Sequence, residues 1–193
     1  MPKVLSFSSL NGGFVVTLIY ICIYPFQEMK QQILTKAQVE QKIKRIAYEI
    51  YEQNFEEQEI ILAGIYDRGF SVAQRLKKEI EGISSLKATL MQIYVDKFEP
   101  HQKPVRIDLD KQILENKVVV VVDDVLNTGR TLAYGMSPFF GASLRKLQVA
   151  VIIDRNHRNY PIHANYIGYA LSTTLNEHIE VNLDDENLGV FLH

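Results

Sequence analysis

The sequence has little cysteine and little net charge, and each shortage excludes a class of protein. Cys22 is the single cysteine among 193 residues, so an internal disulfide framework and a cysteine-rich zinc site are both excluded. A lone thiol is consistent with a reducing, cytoplasmic setting. The formal net charge of -2 argues against a strongly basic nucleic-acid-binding protein, although a local basic patch is compatible with it.

The sequence also lacks a convincing membrane span or secretory signal. The apolar segment 14–26 is shorter than the roughly 20 residues that a membrane helix needs. Only Lys3 is basic before this segment, and no small-residue cleavage site follows it. We interpret residues 1–28 as an extra apolar segment, either an added edge strand or a spurious upstream start with Met29 as the true first residue, and we favour the spurious start over a targeting segment. Residues 29–193 then form one domain.

Beyond this segment, helix-like and strand-like patterns alternate. Apolar residues recur at steps of three and four over residues 36–55, which predicts an amphipathic helix. A second helix is expected after Gly69, with Gly82 as its stop signal. A third is expected over residues 130–140, where Pro138 marks a kink or an early end. Short apolar runs predict strands at 59–66, 87–95, 118–122 and 146–153.

The distribution of these segments predicts the fold class. The valine run 118–122 is apolar at every position, which is typical of a central strand covered on both faces. After Asp154 the pattern changes to short strands with no helix between them, and no internal repeat or linker interrupts the chain. The sequence therefore predicts one α/β domain with a small β-rich C-terminal addition.

Two adjacent acids, Asp123 and Asp124, end the valine run, and small polar residues follow at 127–131. In an open parallel sheet, ligands bind beyond the carboxyl ends of the strands. A turn that leads into a helix offers unpaired backbone N–H groups, which suit a phosphate. Carboxylates beside a phosphate suit sugar hydroxyls or Mg²⁺. The pattern therefore predicts a site for a ligand with both a phosphate and a vicinal diol, such as a ribose phosphate.

Three other interpretations of this stretch stay open at the level of residue patterns. In the first, the acids only cap the helix that follows. In the second, one acid serves a nucleoside-triphosphate site, although no G-x-x-x-x-G-K-[ST] motif occurs in the chain. In the third, one acid accepts a phosphoryl group, although such a receiver has no need of a Thr-Gly-Arg-Thr turn.

A family resemblance favours the ribose phosphate. The stretch 118–131 resembles the phosphoribosyl-pyrophosphate motif of type I phosphoribosyltransferases, in which apolar residues precede two acids and a threonine-glycine turn. The resemblance narrows to the bifunctional pyrimidine-operon attenuator and uracil phosphoribosyltransferase family, where the following segments recur in order: "ILTKAQVEQKIKRIAYEI", "LAGIYDRG", "DDVLNTGRT" and "DRNHRNYPIHANYIG". It covers residues 29–193. It implies the type I phosphoribosyltransferase fold, an α/β fold with a central, mostly parallel sheet, flanking helices and a small β-rich hood.

The resemblance also implies a reaction and a set of site residues. Ribose 5-phosphate would pass from phosphoribosyl pyrophosphate to a nucleobase, and pyrophosphate would leave. The loop 66–69 would bind the pyrophosphate through an often cis peptide and Arg68, although an ordinary strand-to-helix turn with a solvated arginine is the alternative. The implied residues are catalytic Asp123, Asp124 and Arg68; Asp123 and Asp124 for Mg²⁺, directly or through water; Leu126, Asn127, Thr128, Gly129, Arg130 and Thr131 for the 5′-phosphate; Tyr66, Asp67, Arg68 and Gly69 for the pyrophosphate; and Asp154 and Arg155 on the base side, unless these two form a charged surface turn.

One residue of the turn bears on the choice of base. Hypoxanthine-guanine enzymes resemble this motif but have an aspartate at the position of Asn127, where it serves as a base for the purine ring nitrogen. An amide has no titrating proton and cannot take that role. The sequence therefore favours uracil as the acceptor, and a phosphoribosyltransferase for another base is the alternative.

The segment between residues 94 and 118 departs from the family pattern. It would normally hold a flexible lid that excludes water from the reacting centre. Here the segment is shorter than in the family and lacks its Tyr-Arg-Asp-Asp run. Asp96, Lys97, His101 and Lys103 are the polar residues available to replace the lid, and poor turnover is the alternative.

The second departure concerns RNA, which the family binds through basic residues of the first helix and the hood. Each lost cation removes roughly one phosphate contact and its salt-dependent affinity. The lost cations therefore predict weakened attenuation, and the alternative function is a nucleotide-sensing RNA-binding regulator. The resemblance also implies a homodimer or higher homo-oligomer. No membrane association is expected. Arg45, His157 and Arg158 stand at matching positions, whereas Tyr48, His163 and Tyr169 replace family cations.

Overall fold

The computed structural model describes residues 7–10, 13–16, 31–172 and 177–193. Its strands are β1 (Phe7–Leu10), β2 (Gly13–Val16), β3 (Gln31–Leu34), β4 (Glu59–Ile65), β5 (Lys87–Tyr94), β6 (Arg106–Ile107), β7 (Val118–Leu126), β8 (Lys146–Asp154), β9 (Tyr166–Ala170), β10 (Ile179–Asn182) and β11 (Gly189–Leu192). Its α-helices are α1 (Lys36–Gln53), α2 (Arg68–Ile83) and α3 (Arg130–Gly135). Short 3-10 helices span Lys111–Leu114 and Ser137–Phe139.

A six-stranded sheet with the order β6-β5-β4-β7-β8-β9 forms the centre of the domain. Strands β5, β4, β7, β8 and β9 run parallel, and β6 joins β5 antiparallel at one edge. The valine run is fully buried in β7, with alternate residues in two separate hydrophobic clusters. Because successive side chains of a strand point to opposite faces, β7 is covered on both faces. The predicted central strand is thus confirmed.

Helix α1 follows the predicted pattern closely. Val39, Ile43, Ile46, Ala47 and Ile50 are buried as expected from their spacing. The helix starts with a capping box, in which the Thr35 side chain accepts a hydrogen bond from the backbone N–H of Gln38 and the Gln38 side chain accepts one from the backbone N–H of Thr35. Such a reciprocal cap satisfies two otherwise unpaired N–H groups.

The other two helices differ from the predicted bounds. Helix α2 begins at Arg68 and runs through Gly82 to Ile83, so the prediction that Gly82 ends it was wrong. Helix α3 ends at Gly135, and the chain continues as a 3-10 turn that contains Pro138. The early end is the one that Pro138 predicted, because proline lacks the N–H that a continuing helix needs.

A second, antiparallel sheet with the order β10-β11-β3 forms the β-rich hood. Its third strand, β3, comes from the N-terminal side of the domain, and sequence reasoning missed it. Strand β9 was expected in the hood, but it extends the central sheet parallel to β8. The hydrophobic pattern identified β9 as a strand but not its pairing partner, whereas β3 is only four residues long with one buried side chain and gave no clear pattern.

The N-terminal segment contributes a separate hairpin. Strands β1 and β2 pair antiparallel with each other and form a sheet of their own. They are not an added edge of the central sheet, which was one of the two expectations for this segment. In the described ranges, no helix is both long and apolar enough to cross a membrane.

Candidate functional site

Three loops meet at the carboxyl end of the central sheet. Strands β4, β7 and β8 are neighbours and run parallel, so the segments that follow them emerge at the same edge. These segments begin near residues 66, 127 and 155. Clefts at this edge are where open parallel sheets bind ligands, and the predicted site residues are concentrated there.

The two acids lie inside β7 rather than beyond its tip, because the strand continues to Leu126. Asp123 is 4% exposed and Asp124 is 7% exposed. The backbone N–H of Asp124 donates to Oδ1 of Asp123 over 3.0 Å. The pair therefore presents carboxyl oxygens from an ordered, nearly buried stretch of backbone.

Burial raises the pKa of the Asp123 carboxyl well above its ordinary value, and the charge of the neighbouring Asp124 carboxylate raises it further. The Lys97 ammonium acts in the opposite direction and lowers it. Burial disfavours the charged form of an acid, whereas a nearby cation favours it. Because Lys97 belongs to the shortened lid segment, that segment affects the site electrostatically.

The turn after β7 encloses a cavity of about 110 Å³ lined by residue 123 and residues 125–132. Gly129 has a φ of 81°, in the left-handed region that favours glycine. The backbone N–H of Arg130 donates to Oγ1 of Thr128 over 3.3 Å. Nε of Arg130 is buried and has no hydrogen-bond partner among the described residues. A buried donor without a partner is costly, and an anion in this cavity would satisfy it.

Arg158 donates a hydrogen bond to the backbone of this turn, a role that sequence reasoning missed. Its Nη1 donates to the carbonyl oxygen of Asn127 over 2.9 Å, and its Nε donates to that of Ile162 over 2.9 Å. The N–H groups of Asn159 and Tyr160 both donate to the carbonyl oxygen of Thr128 over 3.0 Å. These hydrogen bonds fix the backbone of the turn through its carbonyl oxygens.

The two base-side candidates are buried and engaged with their surroundings. Oδ1 of Asp154 accepts from the N–H of Asn156 over 2.8 Å and pairs with Nη2 of Arg158 over 2.6 Å. The N–H of Arg155 donates to the carbonyl oxygen of Leu126 over 3.0 Å, and its Nη2 donates to that of Glu177 over 2.8 Å. The alternative of a charged surface turn was therefore wrong, and a contact between these side chains and a base stays a prediction.

The loop after β4 carries the predicted pyrophosphate residues. The peptide bond between Tyr66 and Asp67 is cis. Arg68 is 43% exposed, and its Nη1 lies 3.9 Å from Oδ2 of Asp124. A methyl group on Gly69 would lie 2.5 Å from the carbonyl oxygen of Val122, so only glycine allows α2 to begin this close to β7. The structure thus brings the loop and the acids together.

The hood contributes a residue that had no signal in the sequence. Oε1 of Glu180 lies 3.7 Å from Nη2 of Arg68. Glu180 occupies one position of a short strand and belongs to no recognisable motif. Its place beside Arg68 depends on how β10 packs against the loop, which no local pattern encodes.

Solved structures that share the fold of this chain include two phosphoribosyltransferases. A hypoxanthine-guanine phosphoribosyltransferase of Bacillus anthracis matches with a TM-score of 0.68 and 23% identity, covering 84% of this chain and 95% of that chain. The hypoxanthine phosphoribosyltransferase of Trypanosoma cruzi matches with a TM-score of 0.68 and 19% identity over the same shares. At this level of identity the likeness establishes the fold, which is the type I phosphoribosyltransferase fold that the resemblance implied.

Sequence comparison identifies the family. The family model for the phosphoribosyl transferase domain matches residues 29–186. The bifunctional protein PyrR of Fusobacterium nucleatum is 38% identical over 166 residues, which are 82% of this chain and 94% of that protein. That of Enterococcus faecalis is 32% identical over 164 residues, 82% of this chain and 92% of that protein. The chain therefore belongs to the phosphoribosyl transferase domain family and, within it, to the group of bifunctional PyrR proteins.

Proposed function

We propose that this protein transfers the ribose 5-phosphate group of phosphoribosyl pyrophosphate to uracil, giving uridine monophosphate and pyrophosphate. One observation carries the proposal. The buried pair Asp123 and Asp124 lies near two cationic groups on different loops: Nη1 of Arg68 is 3.9 Å from Oδ2 of Asp124, and Arg130 lines the same cavity as Asp123. A sugar with an anionic group at each end fits this order of charges.

The turn 126–131 would hold the 5′-phosphate. Its cavity of about 110 Å³ suits a compact anion, and the unpartnered Nε of Arg130 gives it a donor. Thr128 and Thr131 add hydroxyl groups to the lining. Arg130 is partly buried, and its planar guanidinium suits a specific charge-assisted contact with a phosphate.

Asp123 and Asp124 would hold the ribose hydroxyls and face the ring carbon at which the bond breaks. The transition state of such a transfer resembles an oxocarbenium ion, so positioning and charge complementarity supply most of the catalysis. The raised pKa of Asp123 suits a hydrogen bond with a hydroxyl. Asp124 lies nearer to Arg68, and hence to the leaving group.

Mg²⁺ is the metal that these residues fit. Carboxylate oxygens are ligands that Mg²⁺ prefers, and the ion takes about six oxygens. In the described ranges, no group of three or more His, Cys, Asp or Glu is placed to hold a metal ion. Asp123 and Asp124 would therefore hold it in part, directly or through water, with the remaining ligands from the diphosphate and from water. When bound, the ion would offset negative charge on the departing diphosphate.

The choice of uracil rests on Asn127. This residue is exposed and lines the cavity, and its backbone oxygen is held by Arg158, so its place in the turn is fixed. Its amide cannot accept a proton from a purine ring. The PyrR relatives, at 32% to 38% identity, stand closer in sequence than the purine enzymes that share the fold.

The test is turnover of phosphoribosyl pyrophosphate with Mg²⁺ against uracil, hypoxanthine, guanine and adenine, with pyrophosphate release and nucleotide formation both measured. We expect uridine monophosphate from uracil and no nucleotide from the purines. Turnover with a purine alone would overturn the choice of base. If no pyrophosphate is released with any of the four bases, the proposed transfer reaction is overturned.

Regulation by RNA binding is a second candidate function, because the relatives carry the name bifunctional. Two cations of the expected RNA face have internal roles here: Arg45 donates to the carbonyl oxygens of Ile167 and Gly168 over 2.6 and 2.8 Å, and Arg158 holds the phosphate turn. Tyr48 and Tyr169 are exposed where the family has cations. These contacts support weak RNA binding with a shallow salt dependence.

A filter-binding series from low to high salt, with and without uridine monophosphate, tests this RNA binding. Nucleotide-dependent binding without turnover would make regulation the main function.

A further inference from the structure

Glu180 connects the hood to the diphosphate end of the proposed site. It lies on β10, opposite the start of α2. Its Oε1 is 3.7 Å from Nη2 of Arg68, and Oδ2 of Asp124 is 3.9 Å from Nη1 of the same guanidinium. Arg68 is therefore shared between a carboxylate of the central sheet and a carboxylate of the hood.

The other oxygen of Glu180 is fixed by His193. Oε2 of Glu180 lies 3.0 Å from Nε2 of His193. His193 in turn exchanges two backbone hydrogen bonds with His178, over 3.0 and 2.9 Å, so its position at the end of the hood sheet is set. Because each oxygen of the carboxylate faces a partner, the Glu180 side chain is held in the orientation that meets Arg68.

The surroundings of Arg68 are acidic. A cavity of about 270 Å³ beside it is also lined by Asp67, Glu180 and Asp184. A diphosphate brings several negative charges and binds best to a guanidinium without other anionic partners. It must therefore compete with Glu180 for Arg68 and approach against the charge of Glu180. Since the Arg68 side chain is 43% exposed, water and salt weaken this competition without removing it.

We propose that Glu180 is a positioning residue that holds Arg68 beside Asp124 and weakens the grip of the site on the diphosphate group. The inference rests on the proposed function. It predicts an effect at one end of the substrate only, because Glu180 is absent from the lining of the turn 126–131. Pyrophosphate binding should depend on Glu180, whereas ribose 5-phosphate binding should not.

The substitution Glu180→Gln keeps the shape of the side chain and removes its charge. In titration calorimetry of the full chain with Mg²⁺, we expect the dissociation constant of pyrophosphate to fall by about three- to tenfold. That of ribose 5-phosphate should stay within about twofold. Glu186→Gln is the matched control, because Glu186 is an exposed residue near the hood and outside the Arg68 cavity; both constants should stay unchanged.

A double-mutant cycle separates action through Arg68 from a general effect of charge. In the Arg68→Ala background, Glu180→Gln should change the pyrophosphate constant by less than about twofold. An equal change in both backgrounds, or no change in the wild-type background, overturns the inference. If the unmodified protein binds neither pyrophosphate nor ribose 5-phosphate, the proposed function fails instead. Glu180→Asp withdraws the carboxylate from Arg68 but keeps its charge, so the dissociation constant of pyrophosphate should fall less than in Glu180→Gln. This variant replaces Glu180→Gln in the test if the glutamine variant does not fold.

Discussion

Asp123 and Asp124 are neighbours in sequence, but the fold gives them different surroundings. Asp123 is enclosed by the sheet and by the helices that cover it, and burial raises its pKa. Asp124 lies within 3.9 Å of the Arg68 guanidinium. We expect their substitutions to have different consequences.

Asp124→Asn tests the assignment of the acids. The amide keeps the size of the side chain but removes its negative charge. That charge lies beside Arg68 and would face the positive charge that develops on the sugar. We expect kcat/KM for phosphoribosyl pyrophosphate to fall on the order of a hundredfold, with the far-ultraviolet circular dichroism spectrum unchanged. Steady-state kinetics measures the loss.

Asp185→Asn is the matched control for this variant. Asp185 is also a carboxylate beside an arginine, since its Oδ1 lies 2.7 Å from Nη2 of Arg75, but its side chain is 85% exposed and lies outside the site. Its substitution should leave kcat/KM unchanged. If Asp124→Asn behaved like Asp185→Asn, the two acids of β7 would not be the substrate-binding residues.

The raised pKa of Asp123 predicts a pH dependence of stability. The folded protein keeps this proton above the ordinary pKa of 3.8, whereas the unfolded chain releases it there. The free energy of unfolding therefore loses this contribution as pH rises from about 4 through the folded pKa. Asp123→Asn cannot ionise, so we expect it to become more stable than the wild type as pH increases towards 8. Urea unfolding without ligand at a series of pH values measures the difference.

Asp185→Asn supplies the opposite sign in the same experiment. A hydrogen bond from Arg75 lowers the pKa of Asp185, so the wild type gains this contribution as pH rises through the lowered pKa. The asparagine variant should fall behind the wild type with rising pH, by a small amount because the group is exposed. Parallel pH profiles for Asp123→Asn and the wild type would show that Asp123 ionises as freely in the folded protein as in the unfolded chain.

At the scale of elements, the start of α2 decides whether the loop 66–69 can lie close to the acids. Gly64 and Gly69 both lie where the loop and the helix meet the central strands. A methyl group on Gly64 would be 2.4 Å from Cα of Phe70, and one on Gly69 would be 2.5 Å from the carbonyl oxygen of Val122. The close approach of α2 to β4 and β7 therefore depends on two residues without side chains.

A pair of glycine substitutions in α2 tests this packing. Gly69→Ala places a methyl group against backbone atoms and should destabilise the protein by about 1–3 kcal/mol, with weaker pyrophosphate binding. Gly82→Ala adds a methyl group where no atom lies within 4 Å and should stabilise the helix by about 0.5–1 kcal/mol. Urea unfolding measures both changes. Equal shifts in the same direction would contradict the close contact at Gly69.

At the scale of the whole molecule, the site is assembled from parts that are distant in the chain. The acids and the turn 126–131 belong to β7 and the loop after it. Arg68 begins α2, and Arg158 and Glu180 come from the segments after β8. The hood needs β3 from the other end of the domain to complete its sheet. The site is therefore complete only when the whole domain has folded.

The N-terminal segment gives a prediction at the same scale. Strands β1 and β2 pair only with each other among the described strands, and the family model begins at residue 29. We propose that residues 1–28 contribute nothing to the site. A chain that begins at Met29 should bind phosphoribosyl pyrophosphate with an unchanged dissociation constant and aggregate less on heating, because an apolar run has been removed. Loss of binding or of cooperative unfolding would contradict this.

Local patterns in the sequence determined the elements and the chemistry at the end of β7. The step of three and four identified α1, the unbroken valine run identified the central strand, and Pro138 marked the early end of α3. The two acids followed by small polar residues predicted a ribose phosphate site. Such features are local because side-chain periodicity and turn chemistry depend on neighbours within a few residues.

Only the tertiary structure decided which distant side chains meet. Arg158 was expected on an RNA-binding face, and the structure adds a hydrogen bond from its guanidinium to the backbone of the turn 126–131. Asp154 and Arg155 are buried and bound to neighbouring loops, and their expected contact with a base stays a prediction. Glu180 had no expected role and lies beside Arg68. Strand pairing and loop packing bring these groups together, and both depend on the hydrophobic burial of whole elements rather than on any short run of residues.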